Sequence, residues 1–151
     1  MSKVKRIVVH CTDEPSNAVR NKSYYFRFFF VTKGWNHFGY HLIVYQDGTW
    51  EKLQPMPNSD PGDRFITYET MANGASGFNI DSLHIAYVGG INPVTGRHED
   101  TRTDEQVRTM RVLISKLKIE FDINEVVGHR DLPGVKKACP CFDAKTEYQN
   151  A

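Results

Sequence analysis

The stretch VKRIVVHC, residues 4–11, is rich in β-branched residues and ends in a histidine and a cysteine. Its apolar residues fall on both faces of an extended chain, a pattern typical of a strand buried in the centre of a sheet. SLHIAYVGG at 82–90 predicts a second buried strand that ends in glycines, and NEVVGH at 124–129 predicts a short third strand. We therefore expect a sheet of buried strands at the centre of the fold.

A hairpin and a long helix are also predicted. Asp47-Gly48 is a turn dipeptide between two strand-like runs, so residues 39–55 predict a β-hairpin. Residues 104–121 predict a helix, because acidic residues occupy its first turn and an apolar stripe follows it. The stripe consists of Val107, Met110, Ile114, Leu117 and Phe121.

The remaining segments complete a fold prediction. Residues 17–33 predict a helix closed by Gly34, although their aromatic residues also favour a strand. Residues 56–80 predict a long loop, and Asp143 can cap a final helix. The order of elements predicts one α/β domain over 1–151, with a central mixed β-sheet flanked by helices.

Composition limits the classes of partner. The net charge is +1, from 19 basic and 18 acidic side chains, so we expect no nucleic acid as the main partner. No run approaches the ~20 apolar residues of a membrane span, and the N-terminus lacks a signal-peptide pattern. We expect synthesis in the cytoplasm. The chain has three cysteines, an odd number that does not suggest a disulfide framework.

Candidate metal ligands stand at the ends of two predicted strands. His10 ends the first strand, His129 ends the last one, and Cys139 follows ten residues later. Two imidazoles and one thiolate suit zinc, and three protein ligands leave a position open for water, as in catalytic zinc sites. Taken singly, each histidine is more often a surface or capping residue, and a cysteine is more often a small buried apolar residue.

The other two cysteines leave alternatives open. Since successive strand side chains point to opposite faces, Cys11 should face the core if His10 faces the site. Cys141 could join the other ligands in a closed, structural four-ligand site, or it could stand outside a three-ligand site. A disulfide between Cys11 and either later cysteine is disfavoured by the missing signal peptide.

Four blocks of sequence, in order, carry a family resemblance. They are VVHCT around His10, GWNHFGYHLIVYQDGTW at 34–50, FNIDSLHIAYVGG at 78–90 and GHRDLPGVKKACPCFD at 128–143. Together they resemble the zinc-dependent, type 2 N-acetylmuramoyl-L-alanine amidases, which share a fold with peptidoglycan recognition proteins. The resemblance implies one Zn²⁺ per chain, held by His10, His129 and Cys139, with Cys141 as a bystander.

The resemblance also implies a reaction. The substrate would be the amide that joins N-acetylmuramic acid to L-alanine of the peptidoglycan stem peptide. Tyr40 would orient water and Lys137 would stabilise charge on the carbonyl oxygen. From the residues alone, Tyr40 is a hairpin aromatic and Lys137 is half of a solvated lysine pair.

Substrate contacts are expected from three further residues. Asn73 stands in the loop where relatives often carry a histidine. Asn79 could touch the substrate or start the next strand, and Trp35 could line a glycan groove or pack against the preceding helix. We interpret His84 as a satisfied sheet residue. Asp131 could orient a ligand histidine or could belong to a turn.

The expected partner is therefore peptidoglycan or a soluble muropeptide, with no membrane partner and a monomeric chain. Lacking a signal peptide, the protein would reach the wall through release or delivery by another system. A phage or prophage endolysin fits best, while a delivered effector and a muropeptide recycler fit the same sequence. The alternative function is a non-catalytic peptidoglycan-binding module of the same fold.

Overall fold

A five-stranded mixed sheet forms the centre of the computed structural model, which describes residues 2–150. The strands in chain order are β1 (Ser2–Lys3), β2 (Arg6–Cys11), β3 (Glu14–Pro15), β4 (Leu42–Val44), β5 (Trp50–Lys52), β6 (Phe65–Ile66), β7 (Ser82–Tyr87), β8 (Gly90–Ile91) and β9 (Glu125–Gly128). The α-helices are α1 (Lys22–Phe26), α2 (Asp104–Phe121) and α3 (Ala144–Glu147). This arrangement confirms the predicted fold class.

Strand β2 lies inside the central sheet, whose strand order is β5-β4-β7-β2-β9. It pairs in parallel with β7 on one side and with β9 on the other, which confirms the prediction of a central strand. Of the described strand pairs in this sheet, β4–β5 alone is antiparallel. Because β2 and β9 are parallel, their carboxyl ends bring His10 and His129 to the same edge of the sheet.

Helix α2 covers one face of the sheet and has the bounds that the sequence predicts. Thr103 begins it with a capping box shared with Gln106, whose buried side-chain amide also donates to the carbonyls of Val44 and Val88. Val107 is only half-buried, so the predicted stripe is corrected at its first position. The buried apolar stripe is Met110, Leu113, Ile114, Leu117 and Phe121.

The opposite face of the sheet is covered by an aromatic segment. The predicted helix over 17–33 is shorter than expected, because the Asn21 side chain accepts a hydrogen bond from Tyr24 N and starts α1 only at Lys22. The helix then widens into a π-helical turn over Arg27–Thr32. Tyr25 and Phe29 are buried in the core on this face.

The predicted hairpin is present, with shorter strands than the sequence suggests. Gly48 turns the chain with φ +85°, and β4 pairs with β5 in antiparallel register. Tyr40 and His41 precede β4, so neither lies on a regular strand. The loop at 56–80 contains β6, which pairs with β1, and the start of a 3-10 turn at Asn79–Asp81. Within residues 2–150, the helices are too short or too polar to cross a membrane.

Candidate metal centre

Three side chains converge at the carboxyl edge of β2 and β9. One donor atom each from His10, His129 and Cys139 lies within 4.8 Å of the others, and all three residues are buried. Cys139 Sγ is 3.8 Å from His10 Nδ1, which identifies Nδ1 as the His10 donor that faces the group. Two nitrogens and one sulfur at this spacing fit a metal ion of the zinc class.

The parallel register of the sheet explains why the histidines meet. Val9 lies beside Gly128 in the β2–β9 pair, so the next residues, His10 and His129, lie side by side where the pairing of these two strands ends. Their ring centroids are 4.8 Å apart. His129 opens a 3-10 turn, in which Asp131 Oδ2 accepts a hydrogen bond from Gly128 N at 2.7 Å. Asp131 therefore stabilises this turn, as predicted by the interpretation that placed it in a turn.

The third candidate ligand, Cys139, lies in a loop that is hydrogen-bonded to β2 and to the turn after β9. The backbone N–H of Cys11 donates to Cys139 Sγ at 3.2 Å, and the backbone N–H of Arg130 donates to the Cys139 carbonyl at 2.9 Å. These two hydrogen bonds hold the Cys139 sulfur beside the histidines.

Cys141 lies apart from this group. Its Sγ is 3.9 Å from Cys11 Sγ and 3.5 Å from the carbonyl oxygen of Gly90, and all three cysteines are free thiols. Burial, with the neighbouring Cys11, raises the pKa of Cys141 to about 12. Of the described residues, only His10, His129 and Cys139 form a metal-ligand group, so the four-ligand alternative has no geometric support.

Both histidines of the group are neutral near pH 7. Burial lowers the pKa of His10 well below its usual 6.5. Burial, together with the positive charge of Lys137, lowers the pKa of His129 to about 4. Neutral imidazole is the form that binds a metal ion.

The group opens into a cavity of about 670 Å³. Four of the predicted catalytic and substrate-binding residues line it: Trp35, Tyr40, Asn73 and Lys137. The ring of Tyr40 lies 5.2 Å from that of His10 and meets Phe29 edge-on at 5.6 Å. Burial raises the pKa of Tyr40 well above 10, so its phenol stays protonated.

Two predicted substrate contacts differ in their placement. Trp35 lines the cavity and also stacks on Phe29 at 5.6 Å, so it serves the core and the cavity wall together. Asn79 is not among the lining residues, and its Oδ1 accepts a hydrogen bond from Ala75 N at 2.8 Å. A substrate contact of Asn79 stays a prediction.

His84 is not the fully satisfied sheet residue that its sequence position predicts. Its Nδ1 lies 2.8 Å from His10 Nε2, and its own Nε2 is buried without a hydrogen-bond partner among the described residues. His84 therefore contacts a residue of the metal group, and only one of its two ring nitrogens has a hydrogen-bond partner among the described residues. A histidine in the middle of the mostly apolar β7 was the available signal, but only the register between β7 and β2 shows which residue it contacts.

Comparisons with known proteins agree with this geometry. The family model described as N-acetylmuramoyl-L-alanine amidase matches residues 1–142. The endolysin of Enterobacteria phage T3 is 30% identical over 146 residues, which cover 95% of this chain and 84% of that protein.

Solved structures agree on the fold. The N-acetylmuramoyl-L-alanine amidase LysC from Clostridium intestinale superposes with a TM-score of 0.72 at 21% identity, over 96% of this chain and 81% of that one. Bumblebee PGRP-SA superposes with a TM-score of 0.69 at 14% identity, over 99% of this chain and 83% of that one.

Proposed function

The chain belongs to the N-acetylmuramoyl-L-alanine amidase family, and we propose that it is a zinc-dependent phage or prophage endolysin. It hydrolyses the amide between N-acetylmuramic acid and the L-alanine of the peptidoglycan stem peptide. One observation carries the proposal: the buried His10, His129 and Cys139 converge at a cavity that is also lined by Tyr40 and Lys137. The similarity to an endolysin supports the cell wall as the target.

The metal ligands are His10, His129 and Cys139. A zinc ion held by these three side chains would supply Lewis acidity toward the scissile carbonyl and would lower the pKa of water toward neutrality. The neutral imidazoles are ready to bind without losing protons, and the Cys11 backbone N–H holds the Cys139 sulfur in place.

Tyr40 orients the attacking water and transfers a proton to the leaving group. Its ring is held between His10 and Phe29, which fixes the direction of the phenol oxygen. Because burial keeps that oxygen protonated, Tyr40 Oη can hydrogen-bond the attacking water. It can also relay a proton to the nitrogen of the leaving L-alanine. A positioned acid–base group of this kind contributes about 10²–10⁴-fold in rate.

Lys137 stabilises the developing charge. It lines the cavity, and its positive charge helps to lower the pKa of both His10 and His129. The Lys137 ammonium is therefore close enough to influence charges at the metal group. In the reaction it offsets the negative charge that forms on the carbonyl oxygen. One such donor is worth roughly 3–4 kcal/mol in a site shielded from water.

The cavity wall recognises the substrate around the scissile bond. Trp35 offers an apolar face, rigidly backed by Phe29, to a sugar ring or the lactyl methyl group. Asn73 offers an amide that can hydrogen-bond a stem-peptide amide. Asn73 cannot carry a proton, which leaves proton transfer to Tyr40.

A digest of purified peptidoglycan sacculi, with and without a zinc chelator, tests the function. Mass spectrometry should show free stem peptides that begin with L-alanine, released from intact glycan strands only in the absence of chelator. Release of disaccharide fragments would contradict the amidase assignment. Zinc binding without release from sacculi or from soluble muropeptides would favour the alternative, a peptidoglycan-binding module.

A further inference from the structure

A second buried histidine stands directly behind the metal ligand His10. His84 Nδ1 and His10 Nε2 are 2.8 Å apart, and both side chains are almost completely buried. The sheet register explains the contact. His84 pairs with Val8 across β7 and β2, and His10 is two residues further on the same face. His84 does not line the cavity, so it reaches the reaction only through His10.

The direction of this hydrogen bond follows from the chemistry of the ligands. His10 Nδ1 faces Cys139 Sγ, so this nitrogen must carry a free electron pair to bind a metal ion. A neutral imidazole then carries its proton on Nε2. His10 Nε2 therefore donates, and His84 Nδ1 accepts. It follows that His84 carries its own proton on Nε2, the atom without a partner.

We propose that His84 is a positioning residue that holds His10 in its metal-binding tautomer and ring orientation. The inference rests on the proposed function only in assuming that the three-residue group binds zinc. Metal-bound histidines commonly need a hydrogen-bond acceptor on their other nitrogen, and loss of that acceptor typically lowers metal affinity 10–100-fold. His84 supplies that acceptor from the neighbouring strand.

The surroundings of His84 fix its ring. Gly74 lies so close that an added Cβ there would stand 2.4 Å from His84 Nδ1. His41 stacks parallel to His84 with ring centroids 6.0 Å apart, and His41 Nδ1 accepts the backbone N–H of His84 at 3.0 Å. His41 is itself tied to the Thr70 carbonyl through Nε2 at 2.6 Å. The acceptor atom of His84 therefore has little freedom to leave His10.

The unpartnered Nε2 argues against a purely structural role. A buried donor without a partner destabilises the fold, and an apolar side chain of similar size would avoid that loss. A histidine at this position therefore stabilises the core less than an apolar residue would, but it is well placed to accept a hydrogen bond from His10. The two roles can be told apart, because a residue that only packs in the core would not affect metal binding.

Two variants separate the roles. His84→Leu removes the acceptor and the unpartnered donor, whereas His84→Asn keeps an acceptor oxygen near the place of Nδ1. Zinc affinity is measured by competition with a chromophoric chelator, and the ligand field by the absorption spectrum of the Co²⁺-substituted protein. We expect affinity 10–100-fold lower and an altered spectrum for His84→Leu, and affinity within about 3-fold of wild type for His84→Asn.

The metal-free proteins supply the folding control. We expect His84→Leu to give a cooperative melt in chelator well above the assay temperature, so that its loss of affinity does not reflect unfolding. Wild-type affinity and an unchanged Co²⁺ spectrum in His84→Leu would overturn the inference. Equal losses of affinity in both variants would also overturn it, because the acceptor atom would not be what matters.

A measurement on the wild-type protein keeps the test independent of the variants. Nitrogen-15 NMR of the zinc-loaded protein should show protonated Nε2 and unprotonated Nδ1 on both His10 and His84. A proton on His84 Nδ1 would overturn the inference, whether or not the amidase reaction is found. A wild-type chain that binds no zinc would overturn this inference and the zinc-dependent function together, whereas a zinc-bound chain inactive on peptidoglycan would overturn only the function.

Discussion

Cys11 Sγ and Cys141 Sγ lie 3.9 Å apart, and neither residue belongs to the group formed by His10, His129 and Cys139. This contact explains the pair of cysteines in KKACPCFD at 136–143. The first cysteine turns to His10 and His129, while the second packs against the core cysteine of β2. The two thiols, one residue apart, therefore have different chemistry.

Cys139→Ala should abolish zinc binding and amidase activity, whereas Cys141→Ser should leave both nearly intact. The first change removes one of three metal ligands, and the second alters only the contact with Cys11 and Gly90. Zinc content of the purified variants and release of stem peptides from sacculi measure the difference. Equal loss of zinc in both variants would contradict a three-ligand site.

Tyr40→Phe should lower kcat by about 10²-fold or more while zinc content stays at the wild-type level. The substitution keeps the ring contacts with His10 and Phe29 and removes only the phenol oxygen. Steady-state kinetics on a soluble muropeptide separate kcat from KM. As a matched control, Tyr68→Phe removes the hydroxyl of an exposed tyrosine outside the cavity lining and should leave kcat unchanged. A Tyr40→Phe variant with wild-type kcat would remove Tyr40 from the mechanism.

Lys137→Ala should lower kcat about 10²–10³-fold, because it removes the positive charge expected to face the carbonyl oxygen. Lys136 lines the same cavity and provides the control, since Lys136→Ala changes the net charge beside the site equally. We expect less than about 3-fold loss for Lys136→Ala. Similar losses in the two variants would indicate a general charge effect of a solvated lysine pair.

The sequence predicts the sheet and α2 well because their signals are local. Helix α2 has a capping residue, an acidic first turn and a regular apolar stripe, and its predicted bounds match the structure. The segment 17–33 is harder, because consecutive aromatic residues suit several conformations. Only the cap at Asn21 and the packing of Tyr25 and Phe29 decide where the helix begins and which face it buries.

The residues of the candidate site also divide into those that the sequence predicts and those that only the fold reveals. The His10, His129 and Cys139 group could be proposed because strand ends and the family resemblance point to the same residues. The role of His84 depends on the register between β7 and β2, and the position of Cys141 depends on a loop path. No local sequence pattern predicts either of these features, so both could be recognised only in the folded structure.

Arg102 and Glu147 give a prediction about stability. The Arg102 guanidinium is nearly buried, lies 3.4 Å from the Phe142 ring centroid and donates to both carboxylate oxygens of Glu147 at 2.7 and 2.8 Å. Glu147→Gln should therefore lower the free energy of unfolding by about 1.5–3 kcal/mol at pH 7. Urea unfolding followed by circular dichroism measures this. Glu120→Gln, which breaks an exposed pair with Lys116, should cost under about 0.5 kcal/mol.

The same pair predicts a pH dependence. Hydrogen bonds from Arg102 lower the pKa of Glu147 below its usual 4.5 in the folded chain. A depressed carboxyl pKa contributes stability that is complete above the unfolded pKa and is lost as pH falls through the folded pKa. The stability difference between wild type and Glu147→Gln should thus be constant from pH 7 to about pH 5 and shrink steadily below pH 4.5. Urea titrations at stepped pH values measure it, and a difference that stayed constant down to pH 3 would show that Arg102 does not stabilise the ionised form of Glu147.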